Sequence, residues 1–213
     1  MTMKKNLMKV MGVVLVAVLG LLMGACKGCS KIEIGSLYHD YDGVVQDFTA
    51  GTSQIQALHR QTMFSLIGGK KYQWRNSRVI LNDTLSADNF DDLHVVAVND
   101  VFFYWDDHKG PMVQYINSHV KYGVQIPFPI NDVWIEDANM SDKGIKLSAE
   151  DALNKLKEWN GVLPQGCNSI TLRYPVGPND CNVQWVIGDV YDVLFIDAVT
   201  GEIRDWNPAF PRE

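Results

Sequence analysis

A run of residues without any charged side chain, from Met11 to Ala25, divides this sequence into two parts. Three lysines, Lys4, Lys5 and Lys9, come before this run, and they are the only charged side chains before residue 26. A basic start followed by a short apolar stretch is typical of a secretory signal peptide, and the stretch is short for a membrane-spanning helix. We therefore leave residues 1–25 out of the folded part, so that 188 of the 213 residues remain.

The chain that remains is acidic. From residue 26 onward it contains 16 Lys and Arg against 25 Asp and Glu, a net charge of −9. A protein that binds nucleic acid by neutralising phosphates needs the opposite balance, so nucleic acid is not an expected partner. The composition, 46% hydrophobic and 21% charged, is that of a globular protein and not of a disordered one.

The apolar run ends in Leu22-Met23-Gly24-Ala25-Cys26, which resembles the bacterial lipobox. Met23 departs from that motif, which usually has Ala, Ser, Thr or Val at this position. The resemblance implies that Cys26 becomes the first residue of the mature chain and carries two or three acyl chains, enough for a stable membrane anchor. Lys27 replaces the Asp that retains enterobacterial lipoproteins at the inner membrane. In a source with two membranes, this implies an outer-membrane anchor facing the periplasm. The alternative is a simple signal peptide and soluble secretion.

Cysteine usage agrees with an oxidising compartment. If lipid occupies Cys26, then Cys29, Cys167 and Cys181 remain, and one thiol is left over. Cys167 and Cys181 flank a short segment that contains a turn-rich stretch, and we predict a disulfide between them. Closing that loop would contribute about 3 kcal/mol in the chain-entropy model. The spacing of Cys and His matches no zinc site, and neither a metal nor a cofactor is expected.

The mature chain divides at Ile126–Ile130, where two prolines favour extended backbone. Before this point we predict a tether at 26–43 and an N-terminal α+β half at 44–125. After it we predict a C-terminal α+β half at 131–213. The fold class is therefore α+β, with helices packed on antiparallel sheets.

Both halves contain one segment with helical periodicity. In the first, Ser53–Ile67, the spacing of Ile55, Leu58, Met63 and Leu66 predicts an apolar face, with Thr52 or Ser53 as the cap and Gly68-Gly69 as the stop. The second begins at Ser148, which can form a variant of the capping box with Asp151, and ends at Asn160-Gly161. The predicted strands are Tyr72–Trp74, Val79–Leu81, Leu93–Trp105, Met112–Val120, Ile170–Tyr174, Val183–Ile187, Val190–Ile196 and Glu202–Trp206.

The C-terminal half resembles a PepSY module. The resemblance rests on Leu147–Ala152, a Ser-Ala-Glu phrase at the start of a helix, and on Tyr191–Ile203, which contains an apolar-Asp-x-x-Thr-Gly-Glu turn. It covers about Ile145 to Trp206, and the insert Asn160–Asn182 departs from the compact family pattern. The resemblance implies a non-catalytic protein that inhibits, chaperones or recognises envelope partners such as proteases.

Two phrases in the first half are similar to these motifs, as they would be if the chain held two PepSY-like halves. Leu85–Asp88 is similar to Leu147–Glu150, and Tyr104–Gly110 is similar to Phe195–Gly201. The intervals between the phrases differ greatly in length, so chance similarity is the favoured explanation.

The aromatic run Phe102–Trp105 supplies the candidate binding residues. Because strand side chains alternate between faces, the run places large aromatic rings on both sides of its strand. A strand covered on both faces is the favoured explanation. If one face is open, either Phe102 and Tyr104 or Phe103 and Trp105 are offered to a partner, and we take Phe103 and Trp105 as the candidate binding residues.

No catalytic motif is recognisable, and we name no catalytic residue. The chain lacks a G-x-S-x-G elbow, a P-loop and a G-x-G-x-x-G motif, and its five histidines are scattered. We expect a lipid-anchored binding protein of the cell envelope with a protein partner. One alternative is an envelope hydrolase that acts on peptidoglycan or polysaccharide through carboxylates such as Asp106 and Asp107. The other is a structural subunit of an envelope complex, with a broad exposed apolar patch.

Overall fold

The computed structural model describes residues 51–119, 123–124, 128–130, 137–164, 166–174, 182–188 and 193–206. The expected signal peptide, the lipidation site Cys26, the tether at 26–43 and Cys181 lie outside these residues. Cys167 is disulfide-bonded. Because Cys181 is not described, the pairing of Cys167 with Cys181 stays a prediction.

The described residues form two helices and nine strands, and the α+β class is confirmed. Both predicted helices are present, and their ends lie within about two residues of the predicted ones. In chain order the elements are α1 (Thr52–Leu66), β1 (Tyr72–Leu81), β2 (Val95–Asp106), β3 (Gly110–His119), β4 (Gly123–Val124), β5 (Phe128–Ile130), α2 (Ala149–Glu158), β6 (Ser169–Arg173), β7 (Gln184–Gly188), β8 (Val193–Asp197) and β9 (Ile203–Trp206).

All the strands belong to one antiparallel sheet with the order β4-β3-β2-β1-β6-β7-β8-β9, and β5 also pairs with β3. Each half therefore contributes a helix followed by an antiparallel meander. The two meanders meet through their first strands, because Asn76–Ile80 of β1 pairs with Ser169–Arg173 of β6. The topology is symmetric about this pair of strands. One buried core, which includes Trp74 and Phe102 of the first half and Trp185 of the second, packs against β1–β3 and β6–β8.

The similar phrases in the two halves do not occupy equivalent positions in this symmetric topology. Leu85–Asp88 lies between β1 and β2, whereas Leu147–Glu150 leads into α2. Tyr104–Gly110 contains the β2–β3 turn, whereas Phe195–Gly201 contains the β8–β9 turn. The phrases therefore give no support to a sequence repeat, although the order of elements does repeat.

A shared type of turn explains the second similarity. Asp106 Oδ1 accepts hydrogen bonds from the backbone N–H groups two and three residues later, and Asp197 Oδ1 does the same. Gly110 and Gly201, four residues after each acid, have φ values of +84° and +79°, which favour glycine. The predicted capping of the Asp197 turn is confirmed. Burial alone would raise the pKa of Asp197, but the hydrogen bonds from the turn amides and from Asn182 outweigh it and lower the pKa.

Helix α1 turns a different face to the sheet from the one predicted. Ile55 and Met63 are buried as expected, but Leu58 is half-buried and Leu66 is 53% exposed. Gln56 and His59 are buried in their place. The apolar spacing failed as a guide because the sheet beneath α1 presents polar side chains, and Gln56 Nε2 donates to Ser77 Oγ at 2.8 Å.

The first turn of α1 is capped by a side chain from α2. The N-cap residue is Gly51, so the prediction of Thr52 or Ser53 was wrong. Instead, the backbone N–H and the hydroxyl of Thr52 both donate to Glu150 Oε1, at 2.9 and 2.6 Å. Glu150 itself lies in the first turn of α2, which begins with the predicted capping box of Ser148 and Asp151. One carboxylate thus lies near the positive ends of both helices and joins the two halves.

We expect Glu150→Ala to lower the free energy of unfolding by about 1–2 kcal/mol, because two Thr52 donors lose their acceptor. Denaturant unfolding followed by far-ultraviolet circular dichroism measures this change. Glu158→Ala, which removes an exposed acid from the other end of the same helix, is the matched control and should change stability by less than about 0.5 kcal/mol. Equal losses in the two variants would contradict the capping role of Glu150.

Candidate functional site

A groove of about 790 Å³ lies at the end of the sheet where β1 begins and β2 ends. Its walls are the last turns of α1, the loop from α1 to β1, the last residues of β2, and residues 139–142. Both candidate binding residues of the sequence, Phe103 and Trp105, line it. The groove is therefore the place where the described surface brings the predicted side chains together with others that the sequence did not indicate.

Aromatic rings form much of the groove. Trp105 is 62% exposed and Phe64, from the last turn of α1, is 54% exposed. Phe103 and Tyr104 are half-buried, whereas Phe102 is fully buried in the core, so the aromatic run is neither wholly covered nor wholly open. Nothing in the sequence indicated that Phe64 would be exposed, because a phenylalanine in a helix is more often a core residue than an exposed one.

The glycine pair after α1 helps to shape the groove. Gly69 has a φ of +78°, and a Cβ atom at this position would lie 3.3 Å from the Phe64 ring. Any other residue at 69 would strain the backbone and crowd that ring. The Gly68-Gly69 stop signal in the sequence thus ends the helix and also leaves space for Phe64.

Three basic side chains, Arg60, Lys70 and Lys71, line the groove, against the single acid Asp142. The Arg60 guanidinium stacks on the Trp74 ring, 5.1 Å from its centroid, and makes no hydrogen bond or ion pair with any described residue. Lys70 pairs with Asp107 at 2.5 Å, and this hydrogen bond raises the pKa of Lys70. The groove is locally basic on a chain whose net charge after residue 25 is −9.

The two tyrosines of the groove keep their protons at neutral pH. Burial raises the pKa of Tyr72, and the nearby Arg60 opposes this only in part. Burial, with the negative charge of Asp106, also raises the pKa of Tyr104. Both phenols therefore remain neutral hydrogen-bonding groups inside the groove wall.

Behind the groove, α1 carries a buried polar network that the sequence did not reveal. His59 Nδ1 lies 2.5 Å from Asp100 Oδ2, and His59 Nε2 lies 2.6 Å from Ser118 Oγ. Trp74 Nε1 donates to the second oxygen of Asp100 at 3.0 Å. These residues are far apart in the sequence, on α1, β1, β2 and β3, and only the sheet register brings them together.

The order Asp100, His59, Ser118 is that of a nucleophilic triad, but its setting is that of a structural core. All three residues have 0% exposure, and none of them lines the groove. A serine nucleophile must reach a substrate carbonyl, and Ser118 has no contact with solvent. We therefore assign the network to holding α1 on the sheet.

The two acids considered for a hydrolase, Asp106 and Asp107, have a role in a turn and in a surface ion pair. Asp106 accepts hydrogen bonds from the backbone of His108 and Lys109, and these lower the pKa of Asp106. Asp107 is paired with Lys70 on the surface. A glycosidase acid needs a raised pKa so that it can hold its proton at neutral pH, and Asp106 is shifted in the opposite direction.

Across the described residues, no group of three or more His, Cys, Asp or Glu side chains is placed to hold a metal ion. In the same part of the chain, no helix combines the length and the apolar character that a membrane span requires. Comparison of the chain with protein-family models, with curated proteins and with solved structures finds no match.

We expect Asp100→Asn to lower the free energy of unfolding by about 3 kcal/mol, because an amide offers one acceptor where His59 and Trp74 need two. Guanidinium unfolding gives the midpoint and the slope. Asp91→Asn is the control, since Asp91 pairs with Lys157 on the surface, where an ion pair contributes at most about 1 kcal/mol. A stability loss at Asp100 no larger than that at Asp91 would show that the network does not hold α1.

Proposed function

We propose that this chain is a lipid-anchored binding protein of the cell envelope that contacts a protein partner through the groove at the end of its sheet. The observation that carries the proposal is the exposure of Trp105 and Phe64 in one concave site. Burying a large aromatic ring away from water is favourable. A partner that covers both exposed rings would therefore gain this free energy on binding.

The composition of the groove favours a protein as the ligand. Trp, Tyr and Arg are enriched among the residues that contribute most to protein–protein binding, and the groove contains Trp105, Tyr72 and Arg60. Polar side chains such as Gln73 and Asn139 line the same groove and can bond a partner's backbone. The volume of about 790 Å³ is sufficient for several side chains of a partner.

The PepSY resemblance of the C-terminal half points in the same direction, because that family is non-catalytic and is associated with recognition of envelope partners. Both of its motifs form local hydrogen bonds in this chain. Ser148 caps α2, and Asp197 caps the turn between β8 and β9. We therefore include a PepSY-like C-terminal module in the proposal. The hydrolase alternative gains nothing from Asp106 and Asp107, and the groove favours binding over a purely structural role.

The binding proposal predicts that a photo-reactive phenylalanine analogue at position 105 will form adducts with one protein partner in cells. Val162 is the control position because it is 78% exposed, apolar and outside the groove. Adducts from position 105 should disappear when Phe64→Ala is added, since that change removes the other exposed ring of the groove. Equal adducts from positions 105 and 162, or none from either, would argue against a specific protein site in the groove.

The anchor proposal predicts that Cys26→Ala abolishes the incorporation of labelled palmitate and blocks cleavage before residue 26. Cys29→Ala is the matched control and should keep both the label and the membrane fraction, because only the first cysteine follows a lipobox. Gel fluorography of the two variants measures the label. Persistent labelling of the Cys26 variant would rule out lipidation at that residue.

A further inference from the structure

We propose that the groove selects an acidic peptide segment, in which carboxylates alternate with aromatic or aliphatic side chains. This inference rests on the proposed function and names the chemistry of the ligand. The structural basis is the presence, in one concave site, of exposed rings and of two cations, Arg60 and Lys71, that have no ion-pair partner among the described residues.

Two of the three cations, Arg60 and Lys71, have no acidic partner among the described residues. The Arg60 side chain has its apolar face against Trp74 and has neither a hydrogen bond nor an ion pair to any described residue. Lys71 is exposed and likewise makes no ion pair within the described part of the chain. Lys70 already has Asp107 as its partner. A guanidinium held in place by stacking loses little entropy when it binds a carboxylate with two hydrogen bonds.

The rings explain why the segment must also be apolar. Phe64 and Trp105 line the same groove as Arg60, and each has more than half of its side chain exposed. An extended peptide points successive side chains in opposite directions, so carboxylates and apolar groups that alternate along it can reach different walls of the groove. A purely acidic peptide would leave both rings in water.

The charge distribution favours an anionic ligand in the groove. Three cations and one acid line the groove, whereas the chain after residue 25 has a net charge of −9. The concave shape distinguishes the site from a flat membrane-contacting surface, since Phe103 and Tyr104 are half-buried in its wall. An anionic membrane is therefore an outcome to be tested and not the proposed ligand.

The test measures binding of the acylated mature protein, in detergent micelles, to the fluorescein-labelled peptide Ser-Asp-Phe-Asp-Leu-Asp-Ser by fluorescence anisotropy. Two matched peptides replace either every Asp by Asn or both apolar residues by Ser. We expect each replacement to weaken binding by about tenfold, and high salt to weaken the acidic peptide only.

Variants of the protein assign the effect to the groove. Arg60→Met keeps an apolar chain on Trp74 and removes the charge, and Lys71→Gln removes an exposed charge without any risk to folding. We expect the first to weaken binding of the acidic peptide by about tenfold and the second by about threefold, with no effect on the Asn peptide. Lys146→Gln, an exposed lysine outside the groove, is the control and should bind like the native protein.

Four results would overturn the inference. The first is equal binding of the Asp and Asn peptides. The second is absence of peptide binding while position 105 still forms adducts in cells, in which case the proposed function survives and only the acidic ligand is wrong. The third is loss of binding of both the Asp and the Asn peptide in nanodiscs that contain phosphatidylglycerol but not in those of phosphatidylcholine alone, which would assign the groove to an anionic membrane. Absence of both peptide binding and adducts would remove the proposed function as well.

Discussion

The antiparallel pairing of β1 with β6 is the interaction on which the other features of this protein depend. Each meander alone would expose an unpaired edge, and joining the two edges forms one sheet over one core. The pairing ends at Asn76, where β1 has an irregularity. Beyond this point, residues 138–140 lie between the start of β1 and the chain that follows β6. The backbone N–H of Met140 donates a hydrogen bond to the carbonyl oxygen of Trp74, and the N–H of Ala138 donates to that of Tyr174. Asn139 within this segment and Ser141 and Asp142 directly after it form one wall of the groove.

The buried carboxylate of Asp100 connects the core to the groove. It binds His59 on α1 and Trp74 on β1, and so fixes the rotation of the helix relative to the sheet. Arg60 follows His59 directly, and Phe64 lies four residues after Arg60 on the same helix face, so the same rotation places both side chains at the groove. The ring of Trp74 therefore has two roles. Its N–H donates a hydrogen bond to Asp100, and the Arg60 guanidinium stacks on its face. A network sealed from solvent can thus control an exposed binding surface.

The sequence predicted what depends on neighbours along the chain and failed where distant residues decide. The Ser148 capping box, the Asp197 turn and the stop at Gly68-Gly69 involve residues within a few positions of one another, and the structure confirms them. Periodicity located α1 but misplaced its face, because partners on the sheet make Gln56 and His59 good core residues. The cap from Glu150 spans 98 positions and has no local signal. Of the groove, the aromatic run indicated Phe103 and Trp105, whereas Arg60, Phe64 and Lys71 join them only through the fold.

The contrast between a basic groove and an acidic chain limits the partners that can bind. At physiological ionic strength charges more than about 8 Å apart are largely screened, so a ligand in the groove interacts mainly with Arg60, Lys71 and their immediate neighbours. A partner that is acidic over a wide surface would be repelled by the remaining carboxylates before it reached these cations. A partner whose acidic residues are confined to one short segment meets attraction in the groove and little repulsion elsewhere. The charge distribution therefore favours an extended segment over a broad acidic face, and such a segment can also place apolar side chains on Phe64 and Trp105 in the same groove.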